Sequence, residues 1–543
     1  MKRKAVAAVL TAVMVASMFT GCGSDKGSSS AKSTSAASAA NDTVDEDGKV
    51  NGIMYQEGLP LVDEGAYTFS IFCDDSSESG EFIMLDEFKK QTNVDVDLKI
   101  YPYETATERL NLDLNSGDYA DVIGGWTLND NAILTYGVNQ GVFIPLEDYF
   151  EKYCPNISAI LDLPGVREKM TAPDGHIYTI PYVCADSTVG YSPYINTKWL
   201  ENVGMSMPTT TDEFEAVLKA FKEQDANGNG DASDEIPFST DPNNKHIEAM
   251  AGYFGLPMNK LGIAIQNEKV VYGGVSDTYR EFLSWFHKLY AEGLVDVELY
   301  TQDSSTWEGK GNQDLYGVSI AYGSGEFTGI PAAEERGDFD SMPVLNTDKD
   351  GIWLRDTEGF SVYRTQAVIT NKAEHPEIIC RWFDNAFALE NGIGCNRGPV
   401  GVIVNKEDDG YHAIDTTTLS EEDQEKYSWG NLWPQSLPKY LPADFEFVEE
   451  HPMYDEKKAT EEAYEANLTK EIIPSYWIDL DKIDTFSDTN TAIKDFFEQQ
   501  QAQFVCGELD IDNDADWQAY VDGMYSLGLE DWVATQGIEE IAK

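Results

Sequence analysis

The sequence predicts an α/β protein with more than one domain. Its 543 residues exceed the ~250–300 at which a single core stops growing. Its hydrophobic content of 42% and aromatic content of 12% are enough to fill packed cores. Short β-rich runs alternate with stretches whose apolar residues recur at helical spacing. That pattern implies strands joined by helical crossovers, and hence a largely parallel sheet.

The chain opens with Lys2, Arg3 and Lys4, followed by an apolar run from Ala5 to Phe19. The run is shorter than the ~20 residues of a comfortable membrane span and lies directly behind basic residues, so 1–21 reads as a signal peptide. Phe19-Thr20-Gly21-Cys22 resembles a bacterial lipobox, with Phe19 where Leu is usual; the alternative is an ordinary secretory signal. The lipobox makes Cys22 the acylated mature N-terminus, anchoring the protein to the extracytoplasmic face of the cell membrane. Residues 22–58 are polar and read as a flexible tether, with a root-mean-square reach of roughly 30–36 Å.

The folded elements follow in order. Tyr67–Cys73 reads as a buried strand, Glu78–Gln91 as a helix, and Val94–Tyr101 as a strand with alternating apolar residues. Thr105–Asn115 is a helix, and Ala120–Gly124 a strand that ends in Gly124, Gly125 and Trp126. Val189–Ile195 is a strand, followed by helices Asn196–Val203 and Thr211–Gln224; Thr211 is the expected N-cap of the second. Tyr279–Glu292 is amphipathic. Gly317–Tyr322 and Ala367–Thr370 are strands, and Pro376–Leu389, Asp488–Gln503 and Asp514–Leu527 are helices.

The charge is -58, becoming -61 once the basic residues of the signal are removed. Nucleic acid is excluded as a partner, because phosphate binding needs clustered Lys and Arg. Docking on anionic lipid through a basic patch is excluded for the same reason. Cys73, Cys154, Cys184, Cys380, Cys395 and Cys506 form no CxxC, and six in a chain this long make no disulfide scaffold. Their redox state is left open.

Four blocks carry a family resemblance: DGHIYTIPY from Asp174, GYSPYINTKWLENVGMSMPTTTDEFEAVLKAFKEQDANGNGDASDEIPFS from Gly190, AVITNKAEHPEIICRWFDNAF from Ala367, and FVCGELDIDNDADWQAYVDGMYSLGLEDW from Phe504. In that order, behind a lipobox, they resemble extracellular solute-binding lipoproteins of bacterial ABC importers, in the LplA-like, oligosaccharide-type branch. The resemblance implies a two-lobed periplasmic-binding-protein-like type II fold with a hinge and an inter-lobe cleft. It places 59–183 plus about 367–395 in the first lobe, and 184–350 plus later segments in the second, with C-terminal helices at 488–535. It also implies a monomer that captures an oligosaccharide or other small solute and delivers it to ABC permease subunits. A peptide-binding lipoprotein is the alternative.

Asp225, Asn227, Asn229, Asp231, Asp234 and Glu235 offer closely spaced hard oxygen donors, with Gly228 and Gly230 letting the backbone wrap. The opening is like an EF-hand, but Ile236 stands where that motif has its last Glu. The loop is similar to the family's own calcium loop, with one extra residue before Asp234, so structural Ca2+ is expected. The alternative is an Asx-rich turn ending the helix before it.

A sugar cleft needs aromatic platforms beside polar groups, because sugars present apolar CH faces and many hydroxyls. Trp126 is the first candidate, since it follows a strand end, where open α/β sheets place ligands. Tyr182 lies at the expected lobe crossover and Tyr322 at a strand end. Trp307, Trp353, Trp429 and Trp433 lie in stretches without periodicity and are expected on loops; for each, the alternative is a packed structural aromatic. Trp285, Trp382 and Trp517 fall on helical faces and are expected to be structural. Asp121 is read as a cleft or helix-end carboxylate, and Arg355 and Arg397 as partners of ligand or of acids. No HExxH, GxSxG or Walker A sequence is present. A secreted glycosidase would need a specific carboxylate pair, which 96 acidic residues cannot single out.

Overall fold

The computed structural model describes residues 42–75, 81–241, 246–329, 337–414, 416–442, 445, 447–448 and 452–542, all within one compact unit. The signal segment, Cys22 and the first part of the tether lie outside the described residues.

Nine strands build two sheets. They are β1 (Tyr67–Asp74), β2 (Val94–Tyr101), β3 (Val122–Gly124), β4 (Thr179–Ala185), β5 (Ser192–Asn196), β6 (Ile236–Thr240), β7 (Tyr316–Ala321), β8 (Phe339–Ser341) and β9 (Phe360–Ile369). The first sheet has the order β2-β1-β3-β9-β4, and the second β8-β5-β7-β6. In the first sheet β1 runs parallel to β2 and β3, while β9 is antiparallel to β3 and β4. In the second, β7 is parallel to β6 and antiparallel to β5. Both sheets are therefore mixed rather than largely parallel. The pairing Ala185↔Phe360 shows why: β4 carries the chain out of the first lobe and β9 brings it back beside it, so the return must be antiparallel. This strand starts at Phe360, seven residues before the apolar run that betrays it.

Two cores follow. One gathers Phe69, Ile71, Phe88, Trp382 and Trp433 under the first sheet. The other gathers Phe214, Phe238, Phe286, Trp353 and Trp517. Helix Thr211–Glu223 buries Phe214, Val217, Leu218 and Phe221 against the second sheet's core. Each such burial is worth roughly 1.5–3 kcal/mol, so the apolar stripe rather than helix propensity holds it. Its N-cap is Thr210, whose hydroxyl accepts from the Glu213 N–H, and Thr211 is the first helical residue. The C-terminal helices Ile483–Cys506 and Asp514–Ser526 join the second core through Phe497, Phe504, Trp517 and Tyr520.

The stretch before the first lobe differs from a free tether. Lys49–Val50 and Met54–Tyr55 pair antiparallel, and Val50 and Met54 are buried in the first core. Tyr153 donates to Asp42 at 2.8 Å and Arg381 donates to the Gly58 carbonyl at 2.9 Å. Val50 and Met54, with Ile53 packed beside them, and the bonds to Asp42 and Gly58 dock 42–58 as a strap, which composition alone does not reveal. Among the described residues no helix is long and apolar enough to cross a membrane.

Candidate functional site

Trp126 stands at the C-terminal end of β3, and its position is built by a carboxylate. Asp74, buried at the end of β1, accepts from the backbone N–H of Trp126 at 3.0 Å and of Thr127 at 2.6 Å. Gly125 has φ 134°, and a Cβ there would overlap the Asp74 carboxylate. Only glycine lets the loop close on Asp74 this tightly. The clamp leaves the Trp126 indole 46% exposed, with its edge-to-face partner Tyr363 at 5.3 Å and 87°.

Tyr363 and Tyr182 are register partners on β9 and β4, and their rings stack at 5.5 Å and 18°. Lys439 Nζ lies 5.2 Å from the Tyr182 ring and 5.8 Å from Trp429, which is itself exposed. Burial pushes the Lys439 ammonium down to about 8, with the Arg397 charge acting in the same direction. Arg397, beside Tyr182, is pushed down to about 10 by its own burial.

The second lobe contributes Tyr322, just beyond β7. Its hydroxyl donates to Asp186 at 3.2 Å, and Lys457 Nζ lies 3.9 Å over its ring. Lys457 also donates to the Tyr322 carbonyl at 2.7 Å, and burial lowers it to about 8. Asp356 accepts from the Gly190 N–H at 2.6 Å, and burial raises its carboxyl to about 6. Tyr191 meets Tyr322 edge-on at 6.1 Å and stacks on His246 at 4.0 Å. Glu326 accepts from the Tyr322 N–H at 2.9 Å; burial, with Asp241 and Glu308 nearby, holds its carboxyl above the usual range. One lobe thus offers aromatic faces and cations, the other the Tyr322 and Tyr191 rings, carboxylates and the Lys457 ammonium, and Asp186 touches both. Such a site suits a ligand with apolar faces and many hydroxyls.

The structure brings Trp126, Tyr182, Tyr322 and Trp429 into this region, and three other candidates elsewhere. Trp307 lies on helix Ser304–Asn312, 3% exposed, its indole N–H donating to Ser319 Oγ at 3.1 Å. Trp353 is buried between Tyr253 and Tyr464. Trp433 is buried and stacks on Trp382 at 5.7 Å. Trp307 thus lies on a helix and not on a loop, while Trp353 and Trp433 do lie on irregular backbone, which in a body this size also covers cores. Asp121 lies at the opposite end of β3, accepting from the Ser70 N–H and hydroxyl, both at 2.8 Å. Arg355 is engaged by Glu465 and the Thr469 carbonyl. Tyr363, Asp186, Lys439 and Lys457 were not anticipated. Alternation along β9 around Tyr363 was the one available signal.

The acidic loop lies between helix Thr211–Glu223 and β6. Asp225 Oδ2 accepts from the Gly230 N–H at 3.0 Å, and Asp234 receives the Asn227 and Asn229 amides at 3.3 and 2.8 Å. Asp231 Oδ1 is taken by Ser233, at 3.1 Å from its N–H and 2.6 Å from its hydroxyl. Asp225 Oδ1 and Glu235 Oε2 are buried without a hydrogen-bond partner among the described residues. Burial and then the Asp234 charge raise the Glu235 carboxyl. Two buried carboxylate oxygens left unmatched are what a hard cation would satisfy.

A family profile described as bacterial extracellular solute-binding protein matches residues 76–392. The chain belongs to this extracellular solute-binding protein family. Membership makes it a receptor for a solute and not an enzyme. The solute-binding protein is 31% identical over 379 residues to the fructooligosaccharide ABC transporter substrate-binding protein FusA of Streptococcus pneumoniae, covering 67% of this chain and 68% of that one. It is 28% identical over 280 residues to lipoprotein LipO of Bacillus subtilis, covering 50% of this chain and 52% of that one. The structure of S. pneumoniae FusA in complex with kestose superposes with a TM-score of 0.76 at 26% identity, covering 86% of this chain and 98% of that chain. A FusA EF-hand mutant in complex with fructo-nystose gives 0.74 at the same identity, with the same coverage. The solute-binding protein thus has the two-lobed α/β fold of these receptors.

Proposed function

We propose that this solute-binding protein is the carbohydrate receptor of an ABC importer, taking an oligosaccharide between its lobes and handing it to the permease subunits. The observation that carries the reading is the run of rings Trp126–Tyr363–Tyr182 on one lobe, joined through Asp186 to Tyr322 of the other. The similarity to FusA supports the sugar class. The rings stack on the apolar faces of sugar units, Trp429 extends the platform, and Glu326 and Asp186 accept from hydroxyls. The ligand closes the lobes to the extent that it binds the closed form better than the open one.

Cys22 carries the lipid anchor, which holds the monomer at the extracytoplasmic face of the cell membrane. Ca2+ occupies the Asp225–Glu235 loop, held by Asp225, Asn227, Asn229, Asp234, Glu235 and the Asp231 carbonyl. Its role is structural, fixing the helix end to β6. Calorimetry with fructans, other oligosaccharides and short peptides tests the receptor. Saccharides binding at micromolar concentration support it; a peptide binding where every saccharide fails sinks it.

A further inference from the structure

Helix Pro452–Tyr464 turns one face toward the ligand region. Glu456, Thr460 and Tyr464 recur every four residues, and Lys457 and Glu461 lie beside them on the same side. Tyr464 is buried in the second core and donates to the Met342 carbonyl at 2.8 Å. Glu456 accepts from the Ser324 N–H at 2.8 Å and from its hydroxyl at 2.7 Å, which fixes the loop just beyond Tyr322. The helix therefore travels with the second lobe. Glu461 reaches away from it. Its Oε1 accepts from the Ser187 hydroxyl at 2.7 Å and from the Thr188 N–H at 2.8 Å, with the Thr188 hydroxyl at 3.4 Å. Ser187 and Thr188 lie on the stretch between β4 and β5, by which the chain leaves the first sheet. The returning stretch before β9 lies alongside. The Asp186 N–H donates to the Gly359 carbonyl at 3.1 Å, the Asp356 N–H to the Thr188 carbonyl at 3.0 Å, and the Thr357 hydroxyl to the Ser187 carbonyl at 3.0 Å. The two crossings thus form one ribbon, which Glu461 ties to the helix, and Asp186 is the ribbon residue just before the tie.

We infer that Glu461 is a positioning residue for ligand capture. By holding Ser187 and Thr188 to the second lobe, it sets where the Asp186 carboxylate stands between Tyr322 and Tyr363. This role rests on the cleft being the ligand site proposed above. A carboxylate suits the task, because hydrogen bonds to an ionised acceptor are about twice as strong as neutral ones. Ser187 is buried, so removing the acceptor leaves its hydroxyl and the Thr188 N–H unmatched. The ribbon can then turn relative to the helix, and Asp186 turns with it. A smaller share of molecules then presents Asp186 correctly, and apparent affinity falls by that share. Glutamine keeps the Oε1 acceptor that all three contacts use, whereas alanine removes it.

The test uses the full chain and two measurements, calorimetric titration with kestose and hydrogen exchange of the ligand-free protein. Glu461→Ala should bind kestose about fivefold more weakly or worse, while Glu461→Gln stays within about twofold of wild type. A double variant separates positioning from mere support. Glu461→Ala/Asp186→Ala should bind no more weakly than Asp186→Ala alone, since without the Asp186 carboxylate nothing is left to position. A double variant showing the product of the two single losses overturns the inference. In the ligand-free protein the Thr188 amide should exchange at least about tenfold faster in Glu461→Ala and at the wild-type rate in Glu461→Gln. An unchanged Thr188 rate in Glu461→Ala overturns the inference whatever the ligand. If Glu461→Ala does not fold, Ser187→Ala, which removes one donor and keeps the carboxylate, takes its place with the same expectations. Silence of the wild type toward kestose counts against the fructan as ligand, and the exchange rates still decide the role of Glu461.

Discussion

The Tyr322 hydroxyl donates to Oδ1 of Asp186 at 3.2 Å, while Oδ2 of the same carboxylate accepts from Tyr363 at 3.1 Å. One side chain therefore holds an aromatic ring from each lobe. Asp186→Asn leaves one acceptor oxygen and loses one of these bonds. At about 1 kcal/mol for a half-exposed bond, ligand affinity should fall about fivefold. Tyr322→Phe should show a similar loss. Calorimetry on both variants checks this; two unchanged affinities would remove Asp186 from the site.

Trp126→Ala should weaken binding roughly 10- to 100-fold with little change in melting temperature, because the indole is half-exposed and acts on the ligand. Trp433→Ala should do the reverse, lowering stability by roughly 3–5 kcal/mol through the cavity it leaves. If the two variants exchange phenotypes in calorimetry and thermal denaturation, the platform has been assigned to the wrong indoles.

The loop from Asp225 to Glu235 should lose its cation to a chelator. EDTA is expected to lower the melting temperature, and excess Ca2+ to restore it. A cation at 100 times its dissociation constant contributes about 2.7 kcal/mol. Asp225→Asn should reduce the response, since it replaces a buried, unmatched carboxylate oxygen. No response from wild-type protein after prolonged chelation, verified metal-free by mass spectrometry, would refute bound calcium.

Much of this was legible in the sequence for a physical reason. Phe214, Val217, Leu218 and Phe221 declare a helix because burial follows its period. Trp126 declared itself because two glycines at a strand end leave an indole on a bare loop; the cause of the glycines, Asp74, became visible only in space. The tryptophans failed where periodicity failed: Trp353 and Trp433 sit on irregular backbone, and their burial depends on Tyr464 and Trp382, far away in the chain. Asp186, Tyr363, Lys439 and Lys457 were missed because each matters only through partners from other segments. Local pattern carries no record of a meeting between β4, β9 and the end of β7.

Lys439 gives a pH signature. Burial takes its ammonium from 10.5 in the unfolded chain to about 8 in the folded one. Between those values the unfolded chain holds the proton more tightly, so this group's contribution to stability rises with pH from about 8 to 10.5. The change is at most about 3 kcal/mol. Lys439→Met should be more stable than wild type at pH 7, with the advantage shrinking toward pH 10. Urea denaturation across that range measures it. An advantage independent of pH would mean that Lys439 is not charged and buried at neutral pH.

The most direct test of the receptor is calorimetric titration of wild type and Trp126→Ala with kestose and longer fructans beside a panel of short peptides. Wild type should bind at least one saccharide saturably, the variant should lose tenfold or more in affinity, and peptides should give no heat. Peptide binding with silence from every saccharide would contradict it.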